Sequence, residues 1–136
     1  MREAVMATVH GEFEIASWDE ATYQDLDGGR KLTRASVRQR FSGGLDGEGG
    51  VEWLMCYGED GTARFVGMQY VNGSLDGQRG SFVLETVGDF DGKRAKGLWV
   101  VVDGSGTGDL AGVRGEGEFE APMGAKPSFV LEYDIE

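Results

Sequence analysis

The chain has 136 residues, 40% of them hydrophobic, one cysteine and a formal charge of −11. That length suits one domain with a core of its own, and the acidic excess argues against non-specific binding to nucleic acid or to anionic membranes. No stretch approaches the roughly 18 apolar residues of a membrane helix, and the opening MREAVMATVHGEFEI has no apolar run of signal-peptide length.

Cys56 stands alone, so no disulfide can form within the chain, which suits a reducing, cytoplasmic location. The 24 glycines and 2 prolines are spread along the chain and mark no linker, so residues 1–136 read as one β-barrel domain. Apolar and polar residues alternate at period two almost throughout, punctuated by Gly, Asp and Asn. This pattern predicts strands near 6–18, 31–42, 50–58, 62–72, 79–90, 94–103, 112–121 and 127–136. Glu59-Asp60-Gly61, Asn72-Gly73, Asp76-Gly77 and Asp91-Gly92 read as turns because these residues tolerate positive φ. No segment has a helical period, and residues 19–30 read as a loop or short turn. The expected fold is therefore all-β: an antiparallel barrel of about eight strands, mostly up-and-down.

The alternation also assigns faces. Val9, Phe13 and Ile15 of the first strand oppose His10, Glu12 and Glu14; in the second, Ala35, Val37 and Phe41 oppose Arg34, Ser36, Arg38 and Arg40. The seventh strand sets Glu116, Glu118 and Glu120 on one face, and the eighth separates Phe129, Leu131, Tyr133 and Ile135 from Glu132 and Asp134. These four strands are expected to have one wet face each. Strands three to six are apolar on both faces: Trp53, Met55 and Tyr57 against Leu54 and Cys56, Phe65 and Val71 against Val66, Met68 and Tyr70, and Trp99 and Val101 against Leu98, Val100 and Val102. A strand apolar on both sides is normally covered on both. The expectation is a homo-oligomer, most simply a dimer, through strands three to six; a packed terminal segment is the competing cover. Which face of strand 94–103 points inward stays open at this point.

Several chemistries can be argued down. The glycine string of residues 104–115 loosely fits a dinucleotide fingerprint, but that motif needs a following helix, and alternating Glu and Phe follow here. Tight turning, a bulge and close strand approach explain it better. His10, Glu12 and Glu14, like Glu116, Glu118 and Glu120, read as solvated faces rather than metal ligands. Cys56 has no base beside it in sequence and reads as a buried, inert thiol. Neither a cofactor nor a metal is expected. The inward faces are rich in aromatic residues, with few polar members: Thr33, Gln39, Tyr57, Gln69, Thr86 and Tyr133, and Asp103 at a strand end. Eight strands enclose either packed side chains or one small ligand.

Four segments, Phe13–Glu20 (FEIASWDE), Lys31–Ala35 (KLTRA), Gly80–Leu84 (GSFVL) and Ser105–Gly117 (SGTGDLAGVRGEG), resemble in order a bacterial family of unknown function. That family is assigned the allene oxide cyclase barrel-like fold, and the glycine string is also similar to that of plant allene oxide cyclases and dirigent proteins. The resemblance implies an allene oxide cyclase-like or lipocalin-like barrel and an oligomer; it carries no activity. As the family pattern is known, members often have Glu where this chain has Gln69, and Gln-His in place of Glu85-Thr86.

The leading functional expectation is a barrel holding a small apolar or aromatic molecule, with Trp53, Met55, Tyr57, Phe65, Gln69, Thr86, Trp99 and Tyr133 lining the interior. Tyr57, Gln69 and Tyr133 would be its polar anchors. The alternatives are a cyclase or isomerase acting by confinement, and a structural or stress-related protein whose filled barrel binds nothing.

Overall fold

A computed structural model describes residues 6–136 of the chain. Part of the opening segment read above for a leader, residues 1–5, lies outside the described residues. Eight antiparallel strands run in chain order around a closed barrel: β1 (Ala7–Asp25), β2 (Lys31–Gly43), β3 (Leu45–Tyr57), β4 (Ala63–Leu75), β5 (Gln78–Phe90), β6 (Arg94–Val101), β7 (Val113–Pro122) and β8 (Ser128–Ile135). No helix of the described residues is long and apolar enough to cross a membrane. The period-two pattern works because closure gives every strand one inner and one outer face. Phe41, Leu45, Val51, Leu84, Trp99 and Leu131 point in and are almost fully buried.

Strand β1 departs most from expectation. Residues 19–25, read as loop, continue the strand, and only Asp27–Gly29 form a short 3-10 turn. The reason is a bulge. Ile15 stands opposite Gln39 and Ser17 opposite Arg38, leaving Ala16 without a partner on β2. One extra residue inverts the alternation beyond it. Trp18 and Glu20 therefore oppose the inward Val37 and Ala35.

Other details are also corrected. Asn72-Gly73 is not a turn but the interior of β4, opposite Glu48 and Gly47. Gly73 is needed there because a Cβ would sit 2.1 Å from the Asp46 carbonyl oxygen. The reversal falls at Asp76-Gly77, both with positive φ (51° and 84°), the signature of a type I′ hairpin. Cys56 is exposed rather than buried, since it lies on the outer face of β3. Asp103 is exposed in the turn after β6 and does not join the interior. In β6, Trp99 and Val101 face inward, while Leu98 and Val100 face out.

The glycine string forms the β6–β7 connection. Beyond Val101 it takes over the edge of β5: Val102 N–H donates to Val83 O at 2.9 Å, and Thr107 N–H to Ser81 O at 2.9 Å. Ser105 Oγ accepts from Val83 N–H at 3.0 Å, and Leu110 seals the interior with no exposed surface. Its work is structural: it covers a strand edge and closes one end of the barrel.

Candidate functional site

Seven aromatic rings, Phe13, Phe41, Trp53, Phe65, Trp99, Phe119 and Phe129, pack against one another in the barrel interior. Phe119 is the hub, with centroids of Phe13, Trp53, Phe65 and Trp99 at 5.9, 6.2, 6.3 and 5.8 Å. Phe41, Trp99 and Phe129 pack behind it, with centroids 5.4 to 6.4 Å apart. Gly97 makes room for the hub: a Cβ there would lie 2.2 Å from the Phe119 ring. The half of the barrel nearest the β6–β7 connection is thus filled.

The opposite half is not. A cavity of about 270 Å³ opens among Phe13, Ile15, Trp18, Val37, Gln39, Trp53, Met55, Tyr57, Phe65, Phe90, Ala95, Phe119 and Ala121. Seven strands contribute to it, and Tyr57, Phe90, Ala95 and Ala121 mark its mouth beside the connecting turns. Its floor is the aromatic layer. The mouth exists because β8 pairs with β1 only from Ala7 to Glu12; farther along, β1 follows β2 alone. The volume lies just below the roughly 300–1,000 Å³ typical of drug-sized pockets. A larger depression of about 360 Å³ lies outside the barrel over Gly88 and Gly97, among the charged Arg64, Asp89, Lys96, Glu118 and Glu120.

The rim of the inner cavity carries a compact polar cluster. Glu20 accepts from Thr33 Oγ1 and from the Tyr57 hydroxyl, both at 2.7 Å on Oε2, and from Trp18 Nε1 at 2.9 Å on Oε1. Lys31 Nζ lies 5.1 Å from the centroid of the Tyr57 ring. Partial burial opposes ionisation of Glu20, but the bonds from Thr33, Tyr57 and Trp18 together with the charge of Lys31 outweigh it and hold the carboxyl below its ordinary range. Burial and the neighbouring carboxylate push Tyr57 up to about 12. At neutral pH the pair is a fixed acceptor and a fixed donor. Deeper in, Gln69 Nε2 donates to Gln39 Oε1 at 2.5 Å, and Gln39 reaches the cavity wall.

The eight residues expected inside therefore separate. Trp53, Met55, Tyr57 and Phe65 border the cavity together. Gln69 is buried one residue behind it, bonded to Gln39. Thr86 and Trp99 are cross-strand neighbours in the filled core, where Thr86 Oγ1 and Trp99 Nε1 have no hydrogen-bond partner among the described residues. Tyr133 lies toward the other end, its hydroxyl on Asp76 Oδ2 at 2.5 Å, and burial followed by that contact pushes it up to about 12. Sequence reasoning missed Trp18 and Glu20, which it placed at a strand end and in a loop. The signal lay in Phe13–Glu20, one of the segments that carried the family resemblance.

Among the described residues no group of His, Cys, Asp and Glu is arranged to hold a metal ion. None of the curated proteins matches the chain. Among solved structures, a protein of unknown function from Shewanella oneidensis superimposes with a TM-score of 0.83 at 27% identity, over 97% of this chain and 99% of that one. It is described as a member of the DUF3224 family. Residues 9–133 match the model of the same family, described as a protein of unknown function. The chain belongs to the DUF3224 family.

Proposed function

We propose that this protein binds a small, neutral, apolar or aromatic molecule in the mouth cavity of its barrel. The observation that carries this reading is the pairing of an aromatic floor with one polar cluster at the rim, around a space of about 270 Å³. Trp53, Phe65 and Met55 would hold the apolar body. Tyr57, kept protonated, and Gln39, whose carbonyl is already taken by Gln69, would orient a polar edge. A cyclase acting by confinement would use the same space. General acid–base chemistry is disfavoured, because Glu20 is held ionised and Tyr57 protonated well to either side of neutral pH. The lone, exposed Cys56 thiol supports the expectation of a reducing compartment.

Titration with indole and 1-aminonaphthalene, followed by calorimetry, tests the proposal. Saturable binding at one site is expected, and Ala121→Trp, which fills the mouth without cutting into the core, should weaken it at least ~10-fold. Absence of saturable binding would favour a filled barrel with a structural role, and unchanged affinity in Ala121→Trp would place the ligand outside the mouth; either result overturns the proposal.

A further inference from the structure

The outer surface of β3–β6 differs from the rest of the barrel. Leu54 stands opposite Val66, Val66 opposite Val87, and Val87 opposite Leu98, so four apolar side chains form one unbroken row across four strands. Met68 and Val100 flank the row on their own strands. Each of these six is between 41% and 63% exposed. Together they present several hundred square ångströms of contiguous apolar surface, in the range of the largest patch on a typical monomer, and such patches often mark interaction sites.

Charge indicates what covers it. The chain carries −11, yet around this face Arg34, Arg38, Arg64, Arg94 and Lys96 stand among Glu52, Glu85, Asp89, Glu116, Glu118 and Glu120, so the two signs nearly balance along the border. Two acidic chains can therefore meet here without concentrating their repulsion. The pattern is also complementary to itself. A two-fold axis running along the strands between β4 and β5 sets Leu54 over the partner's Leu98, and Val66 over the partner's Val87. The same axis brings Arg64 over the partner's Asp89 and Asp89 over the partner's Arg64, next to the pair these residues make within one chain at 3.0 Å. An isologous interface requires this reciprocity, and a face evolved for an unrelated protein does not.

We infer that the outer face of β3–β6 is the interface of a homodimer whose two-fold axis lies between β4 and β5. Sedimentation velocity on the full chain tests this. The wild type should sediment as a dimer at about 100 μM, and Val66→Glu should raise the dissociation constant roughly 100-fold or more by burying an unpaired charge. Arg64→Asp and Asp89→Arg should each dimerise poorly alone. Mixed together they should form heterodimers, because every facing pair then joins opposite charges; native mass spectrometry reads this directly. Circular dichroism confirms that each variant is folded, as these positions are all on the surface. A wild-type monomer would leave the face to another protein and overturn the proposal. So would a dimer indifferent to Val66→Glu, or a mixture that associates no better than its components.

Discussion

Glu20 concentrates most of the polar chemistry of the cavity rim in one side chain. Three donors from three places in the chain, Trp18, Thr33 and Tyr57, converge on its two oxygens. The consequence is readable in the tyrosine. Because the folded state holds Tyr57 up to about 12 against an ordinary 10.0, its contribution to stability is complete below pH 10 and fades as pH rises toward 12. Glu20 acts at the other extreme: its lowered carboxyl contributes at neutral pH and loses that contribution as pH falls through its folded value. In a titration of phenolate absorbance, Tyr57→Phe should remove one phenol from the phase centred near pH 12. Glu20→Ala should leave that phenol in place but move its ionisation earlier. An unchanged late phase in Glu20→Ala would mean that the carboxylate does not hold the hydroxyl. The same substitution should cost about 1–2 kcal/mol in urea denaturation at pH 7, since two partly buried hydroxyls lose their acceptor. That cost should shrink in acid.

The bulge at Ala16 decides which side of β1 meets the cavity. Strands two to eight were legible along most of their length because their side chains alternate with a period of two, so Trp53, Met55, Tyr57 and Phe65 could be set together on one face without coordinates, although residues 45–49 of β3 were not read as strand. The first strand was legible only as far as Ile15. One unpaired residue moves the inward set from Phe13 and Ile15 to Trp18, Glu20 and Thr22, and a polar stretch with inverted parity looks like a loop. Asn72-Gly73 failed for a different reason. Its composition is that of a turn, but the glycine answers to the close approach of Gly47 across the sheet. The bulge makes an unusual prediction. Deleting Ala16 alone should leave Trp18 opposite Val37, preserve the late ionisation of Tyr57 and cost less than about 1 kcal/mol. Deleting Ala16 and Ser17 together should put Trp18 opposite Arg38, turn Glu20 outward and abolish that late ionisation. If both deletions behave alike, the bulge is not what aims the rim.

At the scale of the molecule the barrel combines a filled half and an open half, divided by the Phe119 layer. The filled half anchors the fold through Leu110, Leu131 and Trp99, and the open half is left with space to hold something. The ring is closed by the pairing of β1 with β8, from Ala7 opposite Tyr133 to Glu12 opposite Ser128. These partners are more than a hundred positions apart, so closure is the contact most costly in chain entropy. It is also indispensable, because Phe129 and Leu131 of β8 complete the core. A chain truncated after Pro122 should lack a cooperative transition in guanidinium, whereas the full chain should show one. A sharp transition in the truncated chain would contradict this.

That late closure also bears on how the protein is made. Translation releases β1 first and β8 last, so β1 waits with one side unpaired until residues 128–133 leave the ribosome. During that interval the chain is a curved ribbon with two open edges and an uncovered aromatic layer. Refolding in milliseconds to seconds is the expected tempo for such a topology, and the interval before closure is when the nascent chain is most exposed to aggregation and proteolysis.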